Sequence, residues 1–157
     1  MPKHTLLLFL LCSTLMAATY SNAQSYTLQH LGVEDGLSNN YVRDIVQDEQ
    51  GFVWIATEAG LNRFDGCKFT TYKSNNSGLS NNTINTLLYD KTANKLWIGG
   101  YFKGIYTLDC STYQFKSYGT EEGININHVV HLTHASDGGI WIAAYHKNIL
   151  HYDTKTH

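Results

Sequence analysis

From residue 41 onward, short apolar runs rich in Val, Ile, Tyr, Phe, Trp and Thr alternate with clusters of Gly, Asn and Asp. Runs of that length and composition, bounded by turn formers, predict short strands. The pattern also recurs. Trp54-Ile55-Ala56, Trp97-Ile98-Gly99 and Trp141-Ile142-Ala143 follow one another at spacings of 43 and 44 residues. Upstream of each lies a turn: Gly36-Leu37-Ser38-Asn39-Asn40, Gly78-Leu79-Ser80-Asn81-Asn82 and Gly123-Ile124-Asn125-Ile126-Asn127. Downstream come Gly60-Leu61, Gly104-Ile105 and Asn148-Ile149, then Phe64-Asp65, Leu108-Asp109 and Tyr152-Asp153. Two copies close with aromatic residues three apart, Phe69 with Tyr72 and Phe115 with Tyr118. These landmarks, in register over three copies, make an internal repeat the dominant signal.

Each copy divides into four strands. In the first they are Tyr41 to Gln47, Phe52 to Thr57, Gly60 to Phe64 and Lys68 to Tyr72, and the first strands of the other copies are Thr83 to Tyr89 and His128 to His134. So small a sheet cannot bury its faces alone and must stack on its neighbours. Four strands in about 40–45 residues is the size of a propeller blade. The expected fold is therefore all-β: a partial β-propeller of about three four-stranded blades, part of a larger propeller. The blades span 36–77, 78–122 and 123–157, the last lacking its fourth strand, and 24–35 holds a lone outer strand at Tyr26 to Leu31. The small residue after each Trp-Ile (Ala56, Gly99, Ala143) suits a strand on which the next blade packs closely. Three blades would leave two open edges, so the chain reads as the opening part of a longer one or as a truncated product.

The first 23 residues have a different character. Lys3 and His4 precede an apolar stretch from Leu6 to Met16, and Ser21-Asn22-Ala23 offers small residues for cleavage. That is the three-part layout of a secretory signal peptide, 1–23, with a mature chain starting at Gln24. The apolar stretch is short of the ~20 residues a spanning helix needs. Its removal costs only Lys3 among the charges, leaving 10 basic and 13 acidic residues. An acidic balance argues against a nucleic-acid binder. Charged residues make up only 15% and aromatics 13%, which excludes a disordered chain. Export makes a Cys67–Cys110 disulfide conceivable. Their equivalent places in successive repeats argue instead for two separate, semi-buried thiols.

Gly36-Leu37-Ser38-Asn39-Asn40, Phe52-Val53-Trp54-Ile55-Ala56-Thr57 and Gly60-Leu61-Asn62-Arg63-Phe64-Asp65-Gly66 resemble the two-component regulator propeller repeat. The resemblance extends over about residues 26 to 153; the second copy departs at Gly100 and lacks the Asn-Arg pair in Ile105 to Leu108, and the third has Gly-Ile in place of Gly-Leu and no Asp-Gly turn. It implies the N-terminal periplasmic sensor region of a Bacteroides-type hybrid two-component histidine kinase. Its implied partners are an oligosaccharide ligand, further blades, and membrane and kinase domains of a longer chain, with a homodimer at full length. It implies no catalysis in this segment, no cofactor and no nucleic-acid contact. A secreted or cell-surface propeller scaffold without a kinase is the alternative; a propeller lyase or hydrolase would need a convergent acid–base cluster.

The turns after each second strand differ most between copies: Glu58-Ala59, Tyr101-Phe102-Lys103 and Tyr145-His146-Lys147. Ligands are commonly bound by such loops on a rigid scaffold. Tyr faces stack on sugar rings, and Lys hydrogen-bonds hydroxyls or acidic groups. Tyr101, Lys103, Tyr145, His146 and Lys147 are therefore the candidate ligand residues. His128, His131 and His134 lie on a strand, where alternation puts His128 and His134 on one face and His131 on the other. That geometry favours polar channel-lining residues over a metal site. Asp44 and Asp48 are read as facing solvent, without a catalytic partner.

Overall fold

The structure is a computed structural model that describes residues 27–102, 104–146 and 148–154. The signal peptide expected at 1–23 lies outside these residues. Thr27–His30 carry no strand, and Val33–Asp35 form a single 3-10 turn where a lone outer strand was expected. Among the described residues no helix is long and apolar enough to cross a membrane.

Residues 31–154 fold into three antiparallel sheets. The first comprises β1 (Val42–Gln47), β2 (Val53–Thr57), β3 (Gly60–Phe64) and β4 (Phe69–Tyr72), in that spatial order. The second repeats it with β5 (Ile84–Asp90), β6 (Lys95–Gly100), β7 (Ile105–Asp109) and β8 (Phe115–Tyr118). The third has β9 (Val129–His134), β10 (Ile140–Ala144) and β11 (Asn148–Tyr152). The first strands β1, β5 and β9 stand side by side, so the sheets radiate from them as blades. This is the expected all-β propeller architecture.

Each blade is buried by the next. Trp54, Ala56 and Leu61 of the first blade form one core with Leu79, Ile84, Leu87 and Ile98 of the second. Trp97 and Ile105 of the second form another with Ile124, Ile126, Val129 and Ile142 of the third. The equivalent Trp residues show the consequence: Trp54 is 0% exposed, Trp97 3% and Trp141 43%. Drying an indole of about 200 Å² corresponds to about 5 kcal/mol by area. The closing aromatics fill the same gaps. Tyr72 meets Trp54 and Phe115 at 5.9 and 5.6 Å between ring centres, and Tyr118 meets Trp97 and Tyr152 at 5.3 and 5.7 Å.

The repeated polar landmarks are anchors. Asp48 is buried (6% exposed) and accepts hydrogen bonds from the Gln50 and Phe52 amides and, at 2.8 Å, from Trp54 Nε1. Asp44 is half-buried, and its Oδ2 accepts from Thr86 Oγ1 at 3.0 Å and the Leu87 amide at 2.8 Å in the next blade. The expectation that both face solvent is therefore corrected. Inner-strand amides need acceptors, and these carboxylates supply them. Asp65 and Asp109 close the third-to-fourth strand turns by accepting from two backbone amides each, which holds both carboxyls below the usual range. Ser38 bonds buried Asn62, whereas Ser80 bonds the Tyr106 hydroxyl at the matching place in the second blade. Arg63 lies between the Phe52 and Tyr113 rings, at 4.5 and 4.6 Å from their centres. Asn62 and Arg63 thus have structural roles.

Cys67 and Cys110 are both free thiols. They are not alike, as a pair of semi-buried thiols would be: Cys67 is exposed and Cys110 buried. Burial, followed by the charges of Asp48 and Asp109, pushes the Cys110 thiol up to about 12.

Three expectations test this packing. Trp54→Phe strands an Asp48 oxygen and should cost about 1–3 kcal/mol more than volume loss alone. Trp97→Phe removes an Nε1 that has no partner and should cost less; urea titration of both variants compares them. A Cβ on Gly99 would lie 2.6 Å from both Thr86 Cγ2 and Val129 Cγ1. Gly99→Ala should therefore lose about 1–3 kcal/mol in the same assay through overpacking. Iodoacetamide at pH 8 should label Cys67 within minutes and Cys110 only after denaturation, by peptide mass analysis.

Candidate functional site

The turn after the second strand and the link entering the next blade meet at one end of the blades. Thr83 Oγ1, in the second link, donates to Glu58 O at 3.3 Å. The Tyr101 amide donates to Thr83 O and the Tyr145 amide to His128 O. This end carries the variable turns, as the repeat register required.

Three of the five expected ligand residues, Tyr101, Tyr145 and His146, are brought into one row there through a residue assigned elsewhere. The ring of His128 lies 4.2 Å from that of Tyr101 and 5.3 Å from that of Tyr145. Phe102 extends the row beyond Tyr101 at 4.5 Å, and His146 extends it beyond Tyr145 at 4.1 Å. Tyr145 is 59% exposed and Phe102 53%. His146 has φ 61°, a left-handed conformation uncommon outside glycine, which fixes the tip of its turn. Lys103 and Lys147 lie outside the described residues.

The histidine expectation is altered by a bulge. In β9, His131 pairs with Ala143 but Val129 pairs with Ala144, so Val130 is an extra residue. Alternation fails across it. His131 joins Thr133 and Trp141 on the uncovered face of the third blade, and His134 reaches Tyr89 O of the second at 3.1 Å. His128 turns to the aromatic row. The three imidazoles therefore serve three separate environments.

The same bulge occurs in every blade. Arg43 is the extra residue of β1 and Asn85 that of β5. With Tyr41, Val42 and His128, these three bulged residues line a concavity of about 350 Å³. Arg43 Nη2 pairs with Glu58 Oε1 at 2.6 Å, and its guanidinium sits 5.3 Å from the Tyr41 ring centre. The Arg43 and Glu58 side chains are 29% and 42% exposed, so their pair is worth at most about 1 kcal/mol. Asn85 Nδ2 donates to Val129 O at 2.8 Å, while its Oδ1 is buried without a partner. Sequence reasoning missed Arg43, Asn85 and Val130. A one-residue register shift leaves no mark in composition, and the three residue types share no chemistry. A larger hollow of about 450 Å³ lies between the second and third links, but its Ser80 and Tyr106 hydroxyls already satisfy each other.

Comparison with known proteins shows what the chain resembles. Residues 36–59 match the family model described as two component regulator propeller. The extracellular domain of a hybrid two component system from B. thetaiotaomicron superposes with a TM-score of 0.75 at 36% identity, over 83% of this chain and 19% of that one. A second B. thetaiotaomicron extracellular domain, that of a one component system, shares the fold with a TM-score of 0.65 at 23% identity, over 76% of this chain and 18% of that one. Histidine kinase P4 of Formosa agariphila is 51% identical over 41 residues, which are 26% of this chain and 3% of the kinase. Residues 36–59 thus carry one two-component regulator propeller repeat. The chain resembles the sensor-like extracellular region of hybrid two-component systems while spanning less than a fifth of the solved relatives' length.

Proposed function

We propose that this chain is a ligand-sensing propeller segment of a periplasmic two-component sensor, that its ligand is derived from carbohydrate, and that it performs no catalysis. The observation that carries the reading is the row of Tyr101, His128 and Tyr145 rings drawn from adjacent blades at the loop-bearing end. Flat aromatic faces beside polar groups suit pyranose rings, whose C–H faces are apolar and whose edges carry hydroxyls. The Asp44 and Asp48 carboxylates are bonded within the blades, so they are not free to act as a glycosidase pair. Export fits this assignment, because the solved neighbours are extracellular domains.

In the complete sensor, further blades would cover the exposed Trp141 and Ile149. Ligand bound across the Tyr101–Tyr145 row would hold the second and third blades in one relative position. Signalling to a kinase beyond the membrane requires that this position be one of two, with the ligand favouring it. A homodimer of the full-length protein would join two such segments.

Calorimetry of the full-length protein with oligosaccharide mixtures from polysaccharide digests tests the assignment. Tyr101→Ala and Tyr145→Ala should each weaken binding about 5- to 30-fold, the loss of one stacking face at roughly 1–2 kcal/mol. Unchanged affinity in both variants would remove the aromatic row from the site.

A further inference from the structure

The concavity beside the aromatic row has a chemistry of its own. Bulges turn side chains out of the regular pleat, and here three successive blades each deliver one residue to the same place. Val42 and Val130 make part of its lining apolar, and both are half exposed, at 46% and 49%. Asn85 is fixed by its bond to Val129 O, which can only accept, so the end of the amide that faces Val129 is the nitrogen, with one of its two N–H groups used there. Its Oδ1 is left buried and unpartnered, an acceptor in want of a hydroxyl or N–H. Arg43 brings a guanidinium with five donors, and among the described residues its ion pair is the Nη2 contact to Glu58.

Resting on the reading of the aromatic row as a sugar platform, we infer that this concavity receives the acidic group of an oligosaccharide, a carboxylate or sulfate, which pairs with Arg43 and displaces Glu58. A guanidinium presents parallel N–H groups that match two oxygens of such an anion, so the ligand offers a better fit than a single-contact exposed pair. Glu58 can leave without disturbing the turn, because its backbone oxygen, bonded to Thr83, does the anchoring. His128 belongs to both the concavity and the aromatic row. A sugar whose acidic group meets Arg43 therefore has its next ring directed toward Tyr101 and Tyr145. Asn85 Oδ1 accepts a hydroxyl of the first ring. Glu58 acts as a stand-in for the ligand's own anion, keeping the guanidinium positioned and charge-balanced until the sugar arrives.

The test is binding of the full-length chain to an array of uronate-containing and sulfated oligosaccharides and their neutral counterparts, followed by calorimetry on the tightest binder. Acidic members should be preferred, and affinity should fall as salt is raised. Arg43→Gln should lower affinity for them about tenfold or more and abolish the preference. Glu58→Gln, which removes the internal competitor, should raise it about two- to fivefold. Binding confined to neutral members would overturn the inference while leaving the sugar platform standing. Binding of none would overturn both. Sodium sulfate alone binding as tightly as the acidic sugar would make this a simple anion site and overturn the sugar assignment. Unchanged affinity in Glu58→Gln would overturn the displacement of Glu58, even if Arg43→Gln failed to fold.

Discussion

A four-stranded blade has two faces and too few residues to cover either, so its only route to a dry core is another blade. Trp54, Trp97 and Trp141 put that constraint in view. They occupy the same register, yet the first two are almost fully buried and the third is 43% exposed. The difference lies in what packs on each face. The small residues beside these indoles follow from the same demand. Gly99 lets Val129 approach to a distance at which a methyl group would collide, while Ala56 is fully buried in the core it shares with Ile84. The links do their part with Leu37, Leu79 and Ile124, one at the same place in each, all of them buried.

At the centre the problem is different. Inner strands expose backbone groups along one edge, and unpaired strand edges invite other chains. The blades settle this with side chains rather than with a continuous ladder. Asp44 reaches the Leu87 amide, Asn85 reaches Val129 O, and His134 reaches Tyr89 O. Each bridge joins one blade to its neighbour without fusing their sheets. Blade packing is therefore dominated by apolar contact at mid-radius, with a few directional bonds at the inner edge. Directional bonds of this kind fix relative orientation more than they add net stability.

The repeat, the strand order and the landmark turns were legible in the residues because each landmark has a local cause that recurs. Asp65 and Asp109 cap the same turn, and Ser38 and Ser80 anchor the same link. Legibility stopped where a long-range partner decided the outcome. Asp48 looks like any turn carboxylate, but Trp54 Nε1 lies above it and makes it part of the core; its counterpart Asp90 caps its own turn and leaves Trp97 Nε1 unpartnered. His131 and His134 do lie on opposite faces, but His128 was misassigned by one residue of register. Strict alternation holds only in a strand without a bulge, and Val130 sits between His128 and His131. Tyr101 and Tyr145 were recognisable as variable turn residues, whereas Arg43 and Asn85 became visible only when three bulges proved to share one hollow.

Repetition and recognition pull in opposite directions in such a fold. Positions that serve blade packing must be alike in every copy, because every interface poses the same problem. A ligand meets the assembly once, so the residues that read it have no reason to repeat. The bulge position holds Arg43, Asn85 and Val130, and the turns beside it hold Glu58, Tyr101 and Tyr145. The copies thus differ most where their side chains converge. Fold-determining residues are found by asking where the copies agree, and candidate recognition residues by asking where they disagree yet occupy one place in space.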